Sequence, residues 1–85
     1  MDLGRAGELV AYPNPFVNEI AIHWHGESAV KSLSVQDANG RLVSTLDCDG
    51  LMNGPCRWDA SHLEQGVYFI HAVTDDGQFA VRLVK

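Results

Sequence analysis

"GVYFIHAVTDDGQFAVRLVK", residues 66–85, holds two alternating runs separated by Asp75-Asp76-Gly77. In the first run Tyr68, Ile70 and Ala72 fall on one face, and Val67, Phe69, His71 and Val73 on the other. In the second, Phe79, Val81 and Leu83 alternate with Ala80 and Arg82. A period of two is the signature of a strand, because successive side chains leave opposite faces of the pleat. The acidic-glycine turn between the runs reads as a hairpin. The chain therefore ends on two paired strands.

Working upstream, the same pattern recurs with turn chemistry at short intervals. "ELVAY" (8–12) is a short strand stopped by Pro13, and "NEIAIHWH" (18–25) places Ile20, Ile22 and Trp24 on one face. "AVKSLSVQD" (29–37) turns Leu33 and Val35 inward, and Asn39-Gly40 predicts a type I′ hairpin turn into the strand 41–46. "CRWDA" (56–60) is a short strand with Trp58 as a core anchor, and "DASHLEQG" (59–66) a brief turn with Leu63 tucked beneath it. Seven short strands and no room for a helix predict an all-β fold, a seven-stranded immunoglobulin-like β-sandwich. Tyr68 sits where such sandwiches place a tyrosine corner, its hydroxyl bonded back to the preceding connection. "YPNPF" (12–16) is stiff and poor in donors, since each proline fixes φ and pushes its predecessor into extended geometry. It suits a crossover between the sheets, with Tyr12 and Phe16 pinning it to the core from both sides. A Pro-x-Pro ligand read by a partner's aromatic groove is the alternative.

Size and charge narrow the function classes. Eighty-five residues make one domain with a modest core. The formal charge is −5, and the six basic residues are dispersed along the chain, so the clustered footprint of a nucleic-acid binder is missing. The longest apolar run is too short to span a membrane, and "MDLGRAGE" does not have the make-up of a secretory signal.

Residues with chemical potential are few. His23 and His25 share a strand face, and with His71, His62 or an acid they could ligate zinc or copper, but two histidines on an exposed strand face are usually just solvated residues. Cys56, His62 and Asp59 could be drawn as a nucleophile, base and orienter, but no strained turn, oxyanion hole or deep pocket accompanies them. "DCDG" (47–50) and "TDDG" (74–77) carry acids suited to calcium, without the spacing of a known calcium loop. Cys48 and Cys56 leave open a hairpin disulfide or two small apolar thiols. The residues point to no enzyme, cofactor or resident metal.

The order of motifs is more telling than any one of them. Tyr12-Pro13-Asn14-Pro15, then Asp37 to Gly40-Arg41, then Trp58-Asp59, then Leu63 to Gly66-Val67-Tyr68, and finally Arg82-Leu83-Val84-Lys85 follow one another over residues 9–85. This succession resembles the type A C-terminal sorting domain of the type IX secretion system of Bacteroidetes. The resemblance implies an address rather than an activity. The parent would reach the periplasm on its own signal peptide, and this domain would direct it through the outer-membrane translocon with its shuttle proteins. A sortase-like cysteine protease would then remove the domain and join the cargo to an anionic lipopolysaccharide at the cell surface, or the cargo would be released. Residues 1–8 would be the linker and cleavage region, residues 9–85 the sorting domain, and Met1 the start of a piece excised from a longer parent. Pro13, Asn14, Pro15, Asp37, Gly40, Arg41, Trp58, Gly66, Val67 and Tyr68 carry the family pattern and read as mainly structural. Arg82, Leu83, Val84 and Lys85 lie on a last strand whose edge could accept a strand of the translocon or shuttle. Open edges also leave room for a homodimer, while no contact with nucleic acid and no insertion into a membrane is expected. Two other readings stand beside this one. A retained adhesive or carbohydrate-binding sandwich would display Trp24, Phe69 or Phe79, and a structural module would resemble the sandwich of flagellar hook-capping proteins.

Overall fold

The computed structural model describes residues 7–26, 29–46, 56–75 and 77–85. Their seven strands are β1 (Gly7–Tyr12), β2 (Glu19–Gly26), β3 (Val30–Asp37), β4 (Leu42–Leu46), β5 (Cys56–Asp59), β6 (Val67–Thr74) and β7 (Gly77–Val84). They form a three-stranded sheet in the order β1-β2-β5 and a four-stranded sheet in the order β4-β3-β6-β7. All pairings are antiparallel. Compared with the immunoglobulin constant arrangement, the fourth strand pairs with the third instead of the fifth. The all-β sandwich read from the sequence is the fold observed.

Alternation builds the core as the sequence predicts. Ile20, Ile22 and Trp24 from one sheet meet Leu33, Val35, Tyr68, Ile70, Ala72 and Leu83 from the other, and all are buried. Phe16, Ile20, Ile22, Val35, Ile70 and Leu83 are the largest side chains that are fully buried. Each contributes about 1.5–3 kcal/mol through burial relative to exposure. Trp24 and Phe79 meet edge to face at 4.8 Å, closing one end of the sandwich. Gly7 at the start of β1 has φ 149°, and a Cβ there would lie 2.5 Å from the Trp24 ring. Trp58 is only half-buried, because β5 is an edge strand; the enclosed tryptophan is Trp24.

Three local expectations change. The β3–β4 hairpin is present, but its turn is longer than a two-residue type I′ turn. The Gly40 amide donates to the Asp37 carbonyl at 3.0 Å, and the Asp37 amide to the Arg41 carbonyl at 2.9 Å. Gly40 carries the left-handed conformation, φ 82°, as in three-residue loops closed by a glycine bulge. Second, "YPNPF" is not a crossover between sheets, because the strands it joins, β1 and β2, are neighbours in one sheet. Its two X-Pro bonds, Tyr12–Pro13 and Asn14–Pro15, are cis. Third, only Phe16 pins this loop to the core, at 1% exposure; Tyr12 is 46% exposed and faces outward. β1 begins at Gly7, two residues ahead of the first residue assigned to the sorting domain from sequence.

Candidate functional site: the corner where the chain ends

The "YPNPF" loop lies against the last strand. The amide of Asn14 works as a substitute strand there: its Oδ1 accepts from the Val84 amide at 3.0 Å, and its Nδ2 donates to the Arg82 carbonyl at 3.3 Å. Two residues beyond, the Phe16 amide donates to the Val84 carbonyl at 2.9 Å. These bonds identify the outward-facing backbone groups of β7, and they fill the edge over residues 82–84. An edge strand normally presents such groups unpaired to any passing chain. Here the front of the domain occupies them.

Lys85 continues the ladder. Its amide donates to the Gly66 carbonyl at 2.9 Å, and the Gly66 amide returns a bond to the Lys85 carbonyl at 3.2 Å. Its ammonium turns into the 60–63 turn and donates to the carbonyls of Ala60, Ser61 and Leu63 at 2.9, 3.1 and 2.7 Å. Three donors meet three acceptors, the full complement of an ammonium. The same Nζ lies 5.9 Å from the centre of the Phe16 ring, a cation–π distance. Phe16 in turn meets Tyr68 edge to face at 6.1 Å. The Tyr68 hydroxyl donates to the Glu64 carbonyl at 2.6 Å, which is the tyrosine-corner bond expected from the sequence.

The remaining motif residues are local devices. The Asp37 carboxylate accepts from the amides of Asn39 and Arg41, both at 2.9 Å, so the Asp-x-x-Gly-Arg segment is a turn held by its first side chain. Asp59 does the same for the next turn, accepting from the Ser61 amide at 3.0 Å. The Ser61 hydroxyl and amide together hold the Asp59 carboxyl below its ordinary value of 3.8. The Ala60 amide bonds to the Asn18 carbonyl at 2.6 Å, tying this turn to the loop before β2.

The structure thus gathers four motifs into one corner: Asn14 and Phe16, the 60–63 turn after Trp58-Asp59, Gly66 with Tyr68, and Arg82 to Lys85. Asp37, Gly40 and Arg41 stand apart at the β3–β4 turn. Of the four residues proposed for recognition, Leu83 is wholly buried, Lys85 is bonded internally, and Arg82 and Val84 project from the outer face of β7. Sequence reasoning missed the Asn14 and Lys85 contacts. Only the proximity of the two motif ends could have suggested them.

The other chemical candidates are placed as follows. Cys56 is disulfide-bonded, so it offers no thiol nucleophile; Cys48, the other cysteine of the sequence, lies outside the described residues. His23 and His25 stack at 5.7 Å on the outer face of the three-stranded sheet, and His23 Nε2 shares a 2.7 Å hydrogen bond with the Tyr12 hydroxyl. Among the described residues, no three His, Cys, Asp or Glu side chains are grouped to hold a metal ion. Asp75 of the "TDDG" turn pairs with Lys31 at 2.6 Å, while residues 47–50 lie outside the described residues. Of the aromatics that a carbohydrate-binding face would need, Trp24 and Phe79 pack against each other inside, and Phe69 faces out.

The fold and this corner define a small β-sandwich whose last strand is fastened to the loop after β1 and to the 60–63 turn. The family described as the secretion system C-terminal sorting domain matches residues 10–85, and the chain belongs to that family of type IX sorting signals. It is not a family of enzymes, and its members direct proteins to the cell surface or the extracellular space. No curated protein and no solved structure matches the chain.

Proposed function

We propose that this domain carries its parent protein from the periplasm through the type IX translocon, handed over by shuttle proteins. A sortase-like cysteine protease then cuts within residues 1–8 and leaves the cargo at the cell surface or attaches it to an anionic lipopolysaccharide. The observation that carries this reading is the family match across residues 10–85, in which all five motifs occur in order. The position of β1 adds support: it is an edge strand, so the junction with the cargo emerges at the border of the sandwich. The final strand takes part in recognition through the outward side chains of Arg82 and Val84, because its backbone edge is taken by Asn14 and Phe16.

The test is a fluorescent reporter bearing a periplasmic signal peptide and fused ahead of residues 1–85. It is expressed in a bacterium that has the type IX system. Fluorescent protein at the surface or in the medium, shortened by the mass of the domain, is the expected result. A fusion that stays in the periplasm, while a proven sorting domain exports the same reporter, would refute the proposal.

A further inference from the structure

The outer face of the four-stranded sheet departs from the usual pattern. An antiparallel sheet with one solvated face normally turns polar residues outward along every strand. On β6 the outward positions are Val67, Phe69, His71 and Val73, with no charged residue among them. The register sets Phe69 between Gln36 of β3 and Arg82 of β7, with Leu42 of β4 next in the row and 58% exposed. None of the outward β6 residues belongs to the packed core or its partly buried border. At the paired outward positions of this sheet Arg82 is the one formal charge; Lys31, in the β3 bulge beside Val73, is exposed and paired with Asp75, and the chain as a whole carries −5.

We infer that this face is the surface through which the domain docks onto the secretion machinery, and that the partner is a protein surface with an apolar centre and a carboxylate facing Arg82. The inference rests on the sorting function proposed above. Aromatic residues and arginine are the side chains enriched where protein interfaces have their centre. Charge decides against other occupants. A second copy packed through Phe69 about a two-fold axis along or across the strands would set Arg82 against Gln36 or against Arg82 of the other copy, with no carboxylate to meet it. An anionic membrane would face one cation against the chain's excess of negative charge. The size of the face also fits. Three strands about 26 Å long and the five-residue β4, about 17 Å long, set about 4.8 Å apart, present roughly 450 Å² to a partner. That lies at the small end of specific interfaces, where contacts form and release readily, as a signal that is read and then discarded requires.

Phe69→Ser, Arg82→Glu and Arg82→Lys are introduced into the reporter fusion and into the purified 85-residue chain. Thermal unfolding of the purified variants should stay close to that of the parent, since both side chains point outward. Export should fall about tenfold or more for Phe69→Ser and Arg82→Glu, and hold for Arg82→Lys. Should Phe69→Ser fail to fold, the two Arg82 variants decide the matter. An unmodified fusion that is not exported removes the sorting function itself. Normal export of the parent together with folded Phe69→Ser and Arg82→Glu variants leaves sorting intact and overturns the docking face. Loss with Phe69→Ser alone overturns the carboxylate partner. Sedimentation of the parent as a dimer that Phe69→Ser dissolves, or co-sedimentation with vesicles of anionic phospholipid, also overturns it.

Discussion

Replacing Lys85 with methionine keeps the aliphatic stem and removes the ammonium. The cost follows from what each carbonyl keeps. The Ala60 carbonyl retains the Leu63 amide at 3.1 Å, and the Ser61 carbonyl is exposed, so water can replace its partner. The Leu63 carbonyl, part-buried and bonded at 2.7 Å, loses its bond from Nζ. A hydrogen bond from a charged donor contributes about 1.5–3 kcal/mol, and orphaning a part-buried carbonyl falls in the same range. Because one ammonium serves all three acceptors, the sum does not triple; the expected loss is about 2 kcal/mol. For a domain of this size that lowers Tm by about 8–16 °C. Circular dichroism through a thermal ramp, with a denaturant midpoint as a second measure, reads it directly. The acceptors are neutral carbonyls, so the difference between parent and variant should persist in concentrated salt, unlike a surface ion pair. A Tm within about 3 °C of the parent, or a difference that disappears with salt, would show that the ammonium does not fasten the turn.

Asn14→Ala removes both side-chain bonds to the edge of β7 and should cost about 1–2 kcal/mol, with the Val84 amide losing protection in hydrogen exchange. Asn14→Asp keeps the acceptor for Val84 but sets an oxygen against the Arg82 carbonyl, so it should not rescue; full stability for this variant would contradict the paired-amide geometry. Because Asp59 is held below 3.8, the stability it contributes is present above that value and is lost as pH falls through its lower folded value. Asp59→Asn, which keeps an oxygen for the Ser61 amide, should flatten the acid limb of an unfolding-against-pH profile without moving the neutral region.

Alternation was enough to read the two sheets, because burial on one face leaves a period-two trace that needs no knowledge of partners. Ile20, Ile22 and Trp24 on β2 and Tyr68, Ile70 and Ala72 on β6 were legible for that reason. The hairpin at Asn39-Gly40 was legible too, but not its loop length, which is set by the Asp37 carboxylate reaching the amides of Asn39 and Arg41. Prolines announce local stiffness and say nothing about which sheet the chain enters next, so Pro13 and Pro15 do not distinguish a crossover from the loop within one sheet that joins β1 to β2. The contacts of Asn14 span 68 and 70 positions. Nothing in the local pattern encodes a bond over that distance. Likewise the outward Phe69 was visible as one half of an alternating strand, but its neighbours Gln36 and Arg82 required the register.

The placement of Lys85 has a consequence for how the sandwich comes apart. Its ammonium fastens β7 to the 60–63 turn, while Asn14 and Phe16 fasten the same strand to the loop after β1. Three segments far apart in sequence thus meet on one strand. Peeling β7 away has to break all of these bonds together, so the corner opens as a unit rather than strand by strand.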